Sequence, residues 1–257
     1  MAAYGGSGQD GAMRDNFFDT DVAQRYDEGS AEMFAPDVLG PTVDLLADLA
    51  AGRPALELAV GTGRVAIPLA ERGVPVHGIE LSEAMVAQLR AKPGGAAVTV
   101  TIGDMTEATV EGRFGLAYLV FNTIGNVTTQ DDQVAVFANA ARHLEPGGTF
   151  LVEVGVPILR RLPPGERYAV FDHTDEHLGI DEYDTATQLM WSHHYSSADG
   201  TTYRRSSVPF RYVWPAELDL MARLAGMRLR DRWADWDRSP FTGRSTKHVS
   251  VWERIDA

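Results

Sequence analysis

The stretch LELAVGTGRVA, residues 56–66, places three small residues directly after an apolar run. Gly61, Gly63 and Ala66 satisfy the pattern G-x-G-x-x-G/A, in which glycines allow a tight turn and close approach of a ligand to the backbone. Glu80 follows at nearly the spacing of the acid that binds a ribose in dinucleotide-binding folds. Because this pattern recurs in several nucleotide-binding folds, a nicotinamide- or flavin-dependent oxidoreductase is one interpretation of it.

Short apolar strands and helices alternate after this turn. We predict strands over residues 54–60, 74–81, 97–105, 114–127 and 147–156. We predict helices over residues 63–73, 82–92 and 132–144, and Ser82 suits the N-cap of the second. Strands that alternate with helices and lack a polar face are typical of a parallel sheet covered on both sides. The sequence therefore predicts a doubly wound α/β fold, in which ligands bind beyond the carboxyl ends of the strands.

Both ends of the chain add to this prediction. Residues 1–15 are rich in Gly, Ser and Asp, so we expect a disordered leader before a single domain over residues 16–257. A helix over residues 21–34 should break at Pro36, and the next helix should start at Pro41, which suits a first helical turn. The last expected elements are a helix and two strands, over residues 216–226, 227–237 and 247–254.

Residues 160–215 interrupt the alternation and are predicted to form a small antiparallel insertion after the fifth strand. Asp199-Gly200 suits the two positive-φ positions of a tight hairpin turn, and residues 166–174 are a candidate third strand. Pairing outward from the turn opposes Tyr195 to Arg204, His193 to Ser206 and Trp191 to Val208. One face of the hairpin then holds Trp191, His193 and Tyr195, and the other holds Met190, His194, Arg205 and Ser207.

The composition disfavours several classes of function. The chain has no Cys, which excludes disulfides, thiolate zinc sites and a cysteine nucleophile. Its net charge of −13 disfavours DNA or RNA as a partner, because a polyanion would approach a repelling surface. No apolar run reaches the ~18 residues of a membrane span. We therefore expect a cytoplasmic protein that acts on a small molecule, with neither nucleic acid nor membrane as a partner and a homodimer as one option.

Acidic and polar residues follow successive predicted strands, where they suit a nucleoside that carries an amino acid. Glu80 can accept hydrogen bonds from both ribose hydroxyls. Asp104 can accept from an adenine amine, with an N–H of Met105 facing the ring. Glu57 puts a negative charge beside the glycine turn, which is unfavourable for a pyrophosphate but favourable for an α-ammonium group. Phe121 begins a further polar segment, Phe121-Asn122-Thr123, after the fourth strand.

Five segments in this order resemble the motifs of class I S-adenosylmethionine-dependent methyltransferases. They are LELAVGTGR, VHGIELSEAMV, TIGDM, LVFNTIGNV and HLEPGGTFLVE, within residues 40–155. The resemblance implies a Rossmann-like, mostly parallel sheet of seven strands that ends in an antiparallel hairpin. It implies S-adenosylmethionine as cofactor and S-adenosylhomocysteine as product. It also implies a set of cofactor-binding residues: Tyr26, Glu57, Ala59, Gly61, Gly63, Arg64, Glu80, Leu81, Met85, Asp104, Met105, Phe121 and Asn122.

Two of these positions carry specific expectations from the family. Tyr26 resembles an N-terminal tyrosine that covers the cofactor, although a helix also needs apolar anchors there. Ala59 stands where the family usually has glycine, so the turn must accommodate a methyl group.

The fourth-strand segment most resembles small-molecule tailoring methyltransferases of natural-product biosynthesis, including enzymes that dimethylate amino sugars. Those enzymes can carry a catalytic histidine where this sequence has Asn126, which cannot take up a proton. If a base exists, the insertion must supply it: His193 is the first candidate and His194 the second, since an imidazole can accept a proton near neutral pH. An amine that binds neutral would need no base. The candidate acceptor-binding residues are Trp191, Tyr195, Tyr212 and Trp214.

The sequence thus predicts methyl transfer from S-adenosylmethionine to a nitrogen or oxygen of a small metabolite by in-line attack. Two alternatives are an NAD(P)-dependent oxidoreductase and a protein that binds S-adenosylmethionine without transferring its methyl group. His173 and His177 lie among acids in residues 171–184, where a solvated loop is a better interpretation than a metal site.

Overall fold

The computed structural model describes residues 23–24, 26–27, 31–157, 162–197 and 199–255. The expected leader, residues 1–15, lies outside them, as do residues 21–22, 25 and 28–30 of the expected helix over residues 21–34. Residues 23–24 and 26–27 are helical, and Ala31–Phe34 form a 3₁₀ helix.

Eleven strands and five α-helices follow in the described part of the chain. The strands are β1 Ala55–Leu58, β2 Val76–Glu80, β3 Thr99–Ile102, β4 Phe114–Leu119, β5 Leu144–Gly155, β6 Tyr168–His173, β7 His177–Asp184, β8 Leu189–Ser196, β9 Arg204–Arg211, β10 Met227–Trp233 and β11 Lys247–Arg254. The helices are α1 Pro36–Ala50, α2 Ala66–Glu71, α3 Glu83–Ala91, α4 Gln130–His143 and α5 Pro215–Leu224.

The large sheet has the order β10-β11-β5-β4-β1-β2-β3. The strands β1 to β5 pair in parallel, whereas β11 pairs antiparallel with both β5 and β10. This confirms the predicted seven-stranded, mostly parallel sheet with an antiparallel end. The four residues of β1 and the six of β4 are all buried, as strands covered by helices on both faces must be.

Helices and aromatic residues fill both sides of this sheet. On one side Phe137 of α4 packs edge-on against Phe150 and Trp252, with ring centroids 5.0 and 5.3 Å apart. On the other side Leu46 of α1 and Leu116 belong to a second buried cluster. The sheet is therefore held rigidly between two apolar layers, and its carboxyl edge is a fixed platform for a site.

Two helix starts test the capping predictions. Ser82 caps α3 as expected, because its hydroxyl accepts a 3.3 Å hydrogen bond from the Met85 amide. The expectation that a helix starts at Pro41 is wrong, since α1 starts at Pro36 and Pro41 lies inside it. Proline has the backbone angle of a first helical residue and lacks only an N–H that is unpaired there, so Pro36 starts the helix instead of breaking one.

The strands β6 to β9 form a separate antiparallel sheet with the order β6-β7-β8-β9. The interpretation of residues 171–184 as a solvated loop is wrong, because they contain the end of β6 and all of β7. Strand β7 pairs with a neighbour on each side, so its backbone groups are satisfied. Its acids also find partners, since Glu182 pairs with Arg167 and Tyr183 donates to Asp181.

The hairpin of β8 and β9 is offset by one residue from the predicted register. Tyr195 pairs with Arg205, His193 with Ser207 and Trp191 with Pro209. The turn spans residues 197–203 instead of two residues, because Asp199 Oδ1 accepts from the amides of Thr201 and Thr202 and so closes a wider loop. Trp191, His193 and Tyr195 lie on one face, as predicted. The prediction that Arg205 and Ser207 share the face of His194 is wrong, because Ser206 and Phe210 lie on that face instead.

Candidate functional site

The turn after β1 is tied to the end of β2 by one carboxylate. Glu80 accepts a 2.8 Å hydrogen bond from the Gly61 amide at Oε2 and a 2.9 Å bond from the Ser82 amide at Oε1. Burial raises the pKa of Glu80, and these amides oppose the shift. Ala59 adopts a φ of 56°, so the turn does place an alanine in the left-handed region. Glu80 thus holds the turn and offers acceptor oxygens at the carboxyl edge, where a ribose is expected.

The second small position, Gly63, packs the turn against a helix. Gly63 has a φ of 80°, and an added Cβ would lie 2.9 Å from Cγ of Leu89 on α3. Met85, also on α3, is buried with its methyl group against Gly61. Leu81 follows Glu80 at the same edge and is half-buried. The glycine pattern is therefore required by packing as well as by access to a ligand.

Glu57 is a buried carboxyl group at the end of β1. Its Oε2 accepts a 2.9 Å hydrogen bond from the Tyr118 hydroxyl. Burial raises the pKa of Glu57 from its ordinary value of 4.5 to about 8, although Tyr118 and the nearby Arg64 lower it. A cation that enters beside Glu57 would restore the charged form, since an opposite charge stabilises a carboxylate. This is the behaviour that an ammonium-binding acid requires.

A short N-terminal segment lies against the glycine turn. Thr62 donates a 2.6 Å hydrogen bond to Asp27, which also forms an ion pair with Lys92. Lys92 donates to the Thr62 carbonyl at 2.8 Å. The adjacent Tyr26 interacts with both Arg64 and Glu80, and burial raises its pKa. Tyr26 is therefore close to the glycine turn, and its role in covering a cofactor stays a prediction.

The ends of β3 and β4 supply the remaining predicted cofactor residues. Asp104 Oδ1 accepts from both the amide and the hydroxyl of Thr106, at 2.8 and 2.7 Å, so it stabilises its own turn. The carbonyl of Met105 accepts from Asn139 on α4 at 2.9 Å. These contacts fix the orientation of residues 104–106, while recognition of adenine by Asp104 stays a prediction.

Phe121 and Asn122, after β4, both adopt left-handed backbone angles, with φ values of 60° and 58°. Such angles are costly for residues other than glycine and concentrate at functional sites. The Phe121 amide donates to Glu153 Oε2 at 2.6 Å, and Asn122 Oδ1 accepts from the Gly155 amide at 2.6 Å. The Arg64 guanidinium lies over the Phe121 ring, 5.1 Å from its centroid. Asn126 is exposed at the end of the following 3₁₀ helix, Thr123–Asn126.

Glu153 is a structural part of this site that the sequence reasoning missed. It is buried in β5, and burial raises its pKa against the opposing effect of the Phe121 amide. A single acid within the apolar run LVEVG was the signal that could have found it.

One face of the small sheet holds His193 in a closed network. Its Nδ1 lies 2.8 Å from Ser207 Oγ and 3.1 Å from the Arg205 guanidinium, and its Nε2 lies 3.2 Å from Glu182. Trp191 on the same face is 43% exposed, and Tyr195 lies under the Arg205 guanidinium. Both ring nitrogens of His193 therefore already have partners within the sheet.

The other face of the small sheet meets the large domain. An added Cβ on Gly125, in the 3₁₀ helix after β4, would lie 3.7 Å from the Phe210 ring. Tyr183 is buried beside Tyr212, with ring centroids 5.8 Å apart. Trp214 follows at the start of α5 and is 38% exposed.

Asp181, His177 and His194 share that face, and the sequence reasoning did not group them. His177 Nε2 lies 3.0 Å from His194 Nδ1. The Tyr183 hydroxyl donates to Asp181 at 3.3 Å. Among the described residues no cluster of three or more His, Asp or Glu side chains is arranged to hold a metal ion. No helix in the same part of the chain is long and apolar enough to cross a membrane.

Comparison with known proteins agrees with this geometry. Residues 55–148, which include the glycine turn, Glu80 and Asp104, match the methyltransferase domain family. The CcbJ methyltransferase from Streptomyces caelestis is 37% identical, with a TM-score of 0.80 over 91% of this chain and 96% of that one.

Two further relatives are methyltransferases, one named for an N-terminus and the other for N,N-dimethylation. Cypemycin N-terminal methyltransferase from a Streptomyces species is 27% identical over 89% of this chain and 97% of its own length. The dTDP-3-amino-3,4,6-trideoxy-alpha-D-glucopyranose N,N-dimethyltransferase from Streptomyces venezuelae is 33% identical over 38% of this chain and 40% of its own. The turn, its acids and these relatives together place the chain in the family of S-adenosylmethionine-dependent methyltransferases.

Proposed function

We propose that this enzyme transfers a methyl group to an amine nitrogen of a small molecule that binds between residues 121–126 and the small sheet. The observation that carries the proposal is that Asp181 and His194 lie on the sheet face whose Phe210 packs on Gly125. A carboxylate that attracts an ammonium group and an imidazole that can deprotonate it are thus on the face that meets the end of β4. The names of two relatives, one specifying an N-terminus and the other N,N-dimethylation, support the same acceptor atom.

The residues at the strand ends suit the cofactor. Glu80 would accept the ribose hydroxyls, Glu57 would face the ammonium group, and Asp104 would accept from the adenine amine. Tyr26 would cover the bound nucleoside. When bound, S-adenosylmethionine supplies a methyl group activated by its sulfonium.

Asp181 gives the acceptor face a charge that suits an amine. Burial raises the pKa of Asp181, and hydrogen bonds from Ser192 and Tyr183 oppose that shift and favour the carboxylate. An amine that is protonated in water is therefore attracted to this face, but its nitrogen has no lone pair until a proton leaves. His194 Nε2 is our candidate acceptor of that proton, because His194 lies on the same face of the sheet as Asp181. His193 lies on the opposite face, where it is bonded to Ser207 and Glu182, and is better suited to a structural role.

The contribution of the chain to the rate is mainly orientation. The left-handed Phe121 and Asn122 are fixed by Glu153 and Gly155, so the wall beside the methyl group is rigid. A rigid wall that holds the nitrogen in line with the methyl group makes the reaction effectively unimolecular. Such orientation lowers the activation free energy by several kcal/mol, up to about 7–11 kcal/mol in well-oriented systems. The net charge of −13 supports a small acceptor over nucleic acid, and a cytoplasmic location and a homodimer remain our expectations.

The test is a set of matched acceptor pairs, each an amine and the alcohol or phenol of the same skeleton, incubated with trideuteromethyl S-adenosylmethionine. Mass spectrometry with fragmentation should locate the label on nitrogen in the amine member and find none in its oxygen partner. Label on oxygen in both members would contradict the proposal while leaving the family assignment intact.

A further inference from the structure

We infer that Asp172, His177 and His194 form a proton relay, which carries the proton released by the amine from the acceptor face of the small sheet to solvent. This inference rests on the proposed amine acceptor. It assigns a function to two residues, Asp172 and His177, that the family resemblance did not mark.

The three side chains form a continuous hydrogen-bonded line across neighbouring strands. Asp172 Oδ2 on β6 lies 2.5 Å from His177 Nδ1 on β7. His177 Nε2 lies 3.0 Å from His194 Nδ1 on β8. The Asp172 side chain is 43% exposed and that of His177 is 26% exposed, so the line ends in water at the aspartate.

The order of donors along this line follows from the chemistry of neutral imidazole, in which one nitrogen donates and the other accepts. His177 Nδ1 must donate to the Asp172 carboxylate, which only accepts. With both imidazoles neutral, His177 Nε2 is bare and accepts from His194 Nδ1, so the lone pair of His194 lies on Nε2. The hydrogen bonds of the relay therefore leave an unprotonated nitrogen, His194 Nε2, at the inner end of the relay, which is the end nearer the proposed acceptor. This tautomer is set before any ligand binds.

At the inner end of the relay, Ser192 can stabilise a proton on His194 Nε2. The Ser192 hydroxyl is bonded to Asp181 and also lies 3.3 Å from His194 Nε2, so it can donate to the bare Nε2. When its hydrogen turns to Asp181, the hydroxyl leaves an oxygen lone pair beside Nε2. That lone pair can accept the N–H formed when His194 is protonated. The titratable groups around His194 are Asp181 and His177 on β7, Asp172 beyond His177, and His193 on its own strand.

Local packing keeps the two imidazoles aligned. The Phe171 ring lies against both, with centroids 5.4 Å from His194 and 6.3 Å from His177. Gly179, which pairs with His194, leaves room for that ring, because an added Cβ would overlap it. The pair is only half-buried, so filling a core does not account for it.

The step balances without a further reactant. An N–H bond of the ammonium acceptor breaks, its electron pair stays on nitrogen, and the proton binds His194 Nε2. His194 passes its Nδ1 proton to His177 Nε2, and His177 releases its Nδ1 proton towards Asp172 and solvent. The freed lone pair then forms the N–C bond as the S–C bond breaks and its electrons remain on sulfur.

The test compares pH profiles of kcat/KM for the wild type, Asp172→Asn and the control Asp175→Asn with one amine acceptor. The amide oxygen introduced by Asp172→Asn can still accept from His177, but the variant lacks the charge that favours the protonated pair. We expect the acidic limb to move to lower pH and kcat to fall in Asp172→Asn, with the affinity for S-adenosylhomocysteine unchanged. Asp175→Asn removes the same charge in the turn between β6 and β7 and should keep the wild-type limb.

A second variant, His194→Ala, tests the relay even if Asp172→Asn does not fold. His194→Ala should lower kcat by about 10²-fold or more, the usual contribution of a general base, and added imidazole should restore part of it. Equal limbs in Asp172→Asn and Asp175→Asn, or a folded His194→Ala with wild-type kcat, would overturn the relay even if the wild type makes an N-methyl product. Failure of the wild type to methylate any amine would instead contradict the proposed function.

Discussion

The amide of Gly61 and the carboxylate of Glu80, 19 residues further along the chain, are joined by a 2.8 Å hydrogen bond. The second oxygen of Glu80 holds the Ser82 amide at the start of α3. One acid therefore sets the spacing between the glycine turn and β2 and also faces the expected ribose. The local structure of the turn depends on this carboxylate, and we predict that cofactor binding depends on it as well.

Replacing Glu80 should weaken cofactor binding strongly. Hydrogen bonds to a charged group are worth roughly 1.5–3 kcal/mol each, so Glu80→Ala should raise the Kd for S-adenosylhomocysteine at least tenfold by calorimetry. The exposed Glu83, in the first turn of α3, is the matched control, and Glu83→Ala should bind like the wild type. A folded Glu80→Ala protein with an unchanged Kd would show that this acid does not touch the ribose.

Asp104 should determine the preference for adenine. An aspartate accepts from the exocyclic amine, whereas an asparagine amide can donate to the carbonyl of hypoxanthine. Asp104→Asn should therefore reduce the preference for S-adenosylhomocysteine over its inosine analogue, measured as a ratio of Kd values. Thr106→Val, which removes a hydroxyl bonded to Asp104 but keeps the carboxylate, should retain the wild-type ratio. The same ratio in all three proteins would exclude Asp104 from base recognition.

Glu57 should make the ligand-free enzyme less stable as the pH rises. Its pKa is raised from 4.5 to about 8 in the folded state, so the folded protein keeps a proton that the unfolded chain releases. Its contribution to the free energy of unfolding therefore falls between these two pH values and is constant above the upper one. Urea unfolding over this range should show wild-type stability falling relative to Glu57→Gln. Parallel curves for the two proteins would rule out the raised pKa.

Arg211 should stabilise the junction between the small sheet and the helices. It is buried, lies 2.7 Å from Glu217 on α5 and donates to Gln133 on α4 at 2.5 Å. Removing one partner of a buried ion pair costs about 3–5 kcal/mol, which we expect for Arg211→Ala in chemical unfolding. The exposed pair of Arg228 and Glu253 is the control, because surface pairs contribute about 1 kcal/mol or less. Equal losses in Arg211→Ala and Arg228→Ala would contradict this account.

His193→Ala should lose thermal stability together with turnover, because His193 joins β7, β8 and β9 through Glu182 and Ser207. The test is to measure both the thermal unfolding temperature and kcat on one preparation of the variant. A variant with wild-type stability and strongly reduced turnover would restore His193 as the first candidate for the base.

The sequence predicted the large sheet because its signals are local and mutually consistent. The glycine turn, the Ser82 cap and the fully apolar strands β1 and β4 each allow few other structures. It did not predict β7, because acids in a half-exposed strand have the composition of a loop until their cross-strand partners are known. The prediction of the hairpin register was wrong for a related reason, because the side chain of Asp199 closes a wider turn than the Asp-Gly pair alone indicates. His177 and His194 became a pair only through that long-range strand pairing.

The central claim is most directly tested by NMR of the wild-type enzyme with ¹³C-methyl S-adenosylmethionine and an amine acceptor. We predict that the sulfonium methyl signal is lost at the rate at which an N-methyl signal grows, with one S-adenosylhomocysteine formed per methyl group transferred. Bound S-adenosylmethionine whose methyl signal stays unchanged with every amine, or appears on oxygen, would contradict the account.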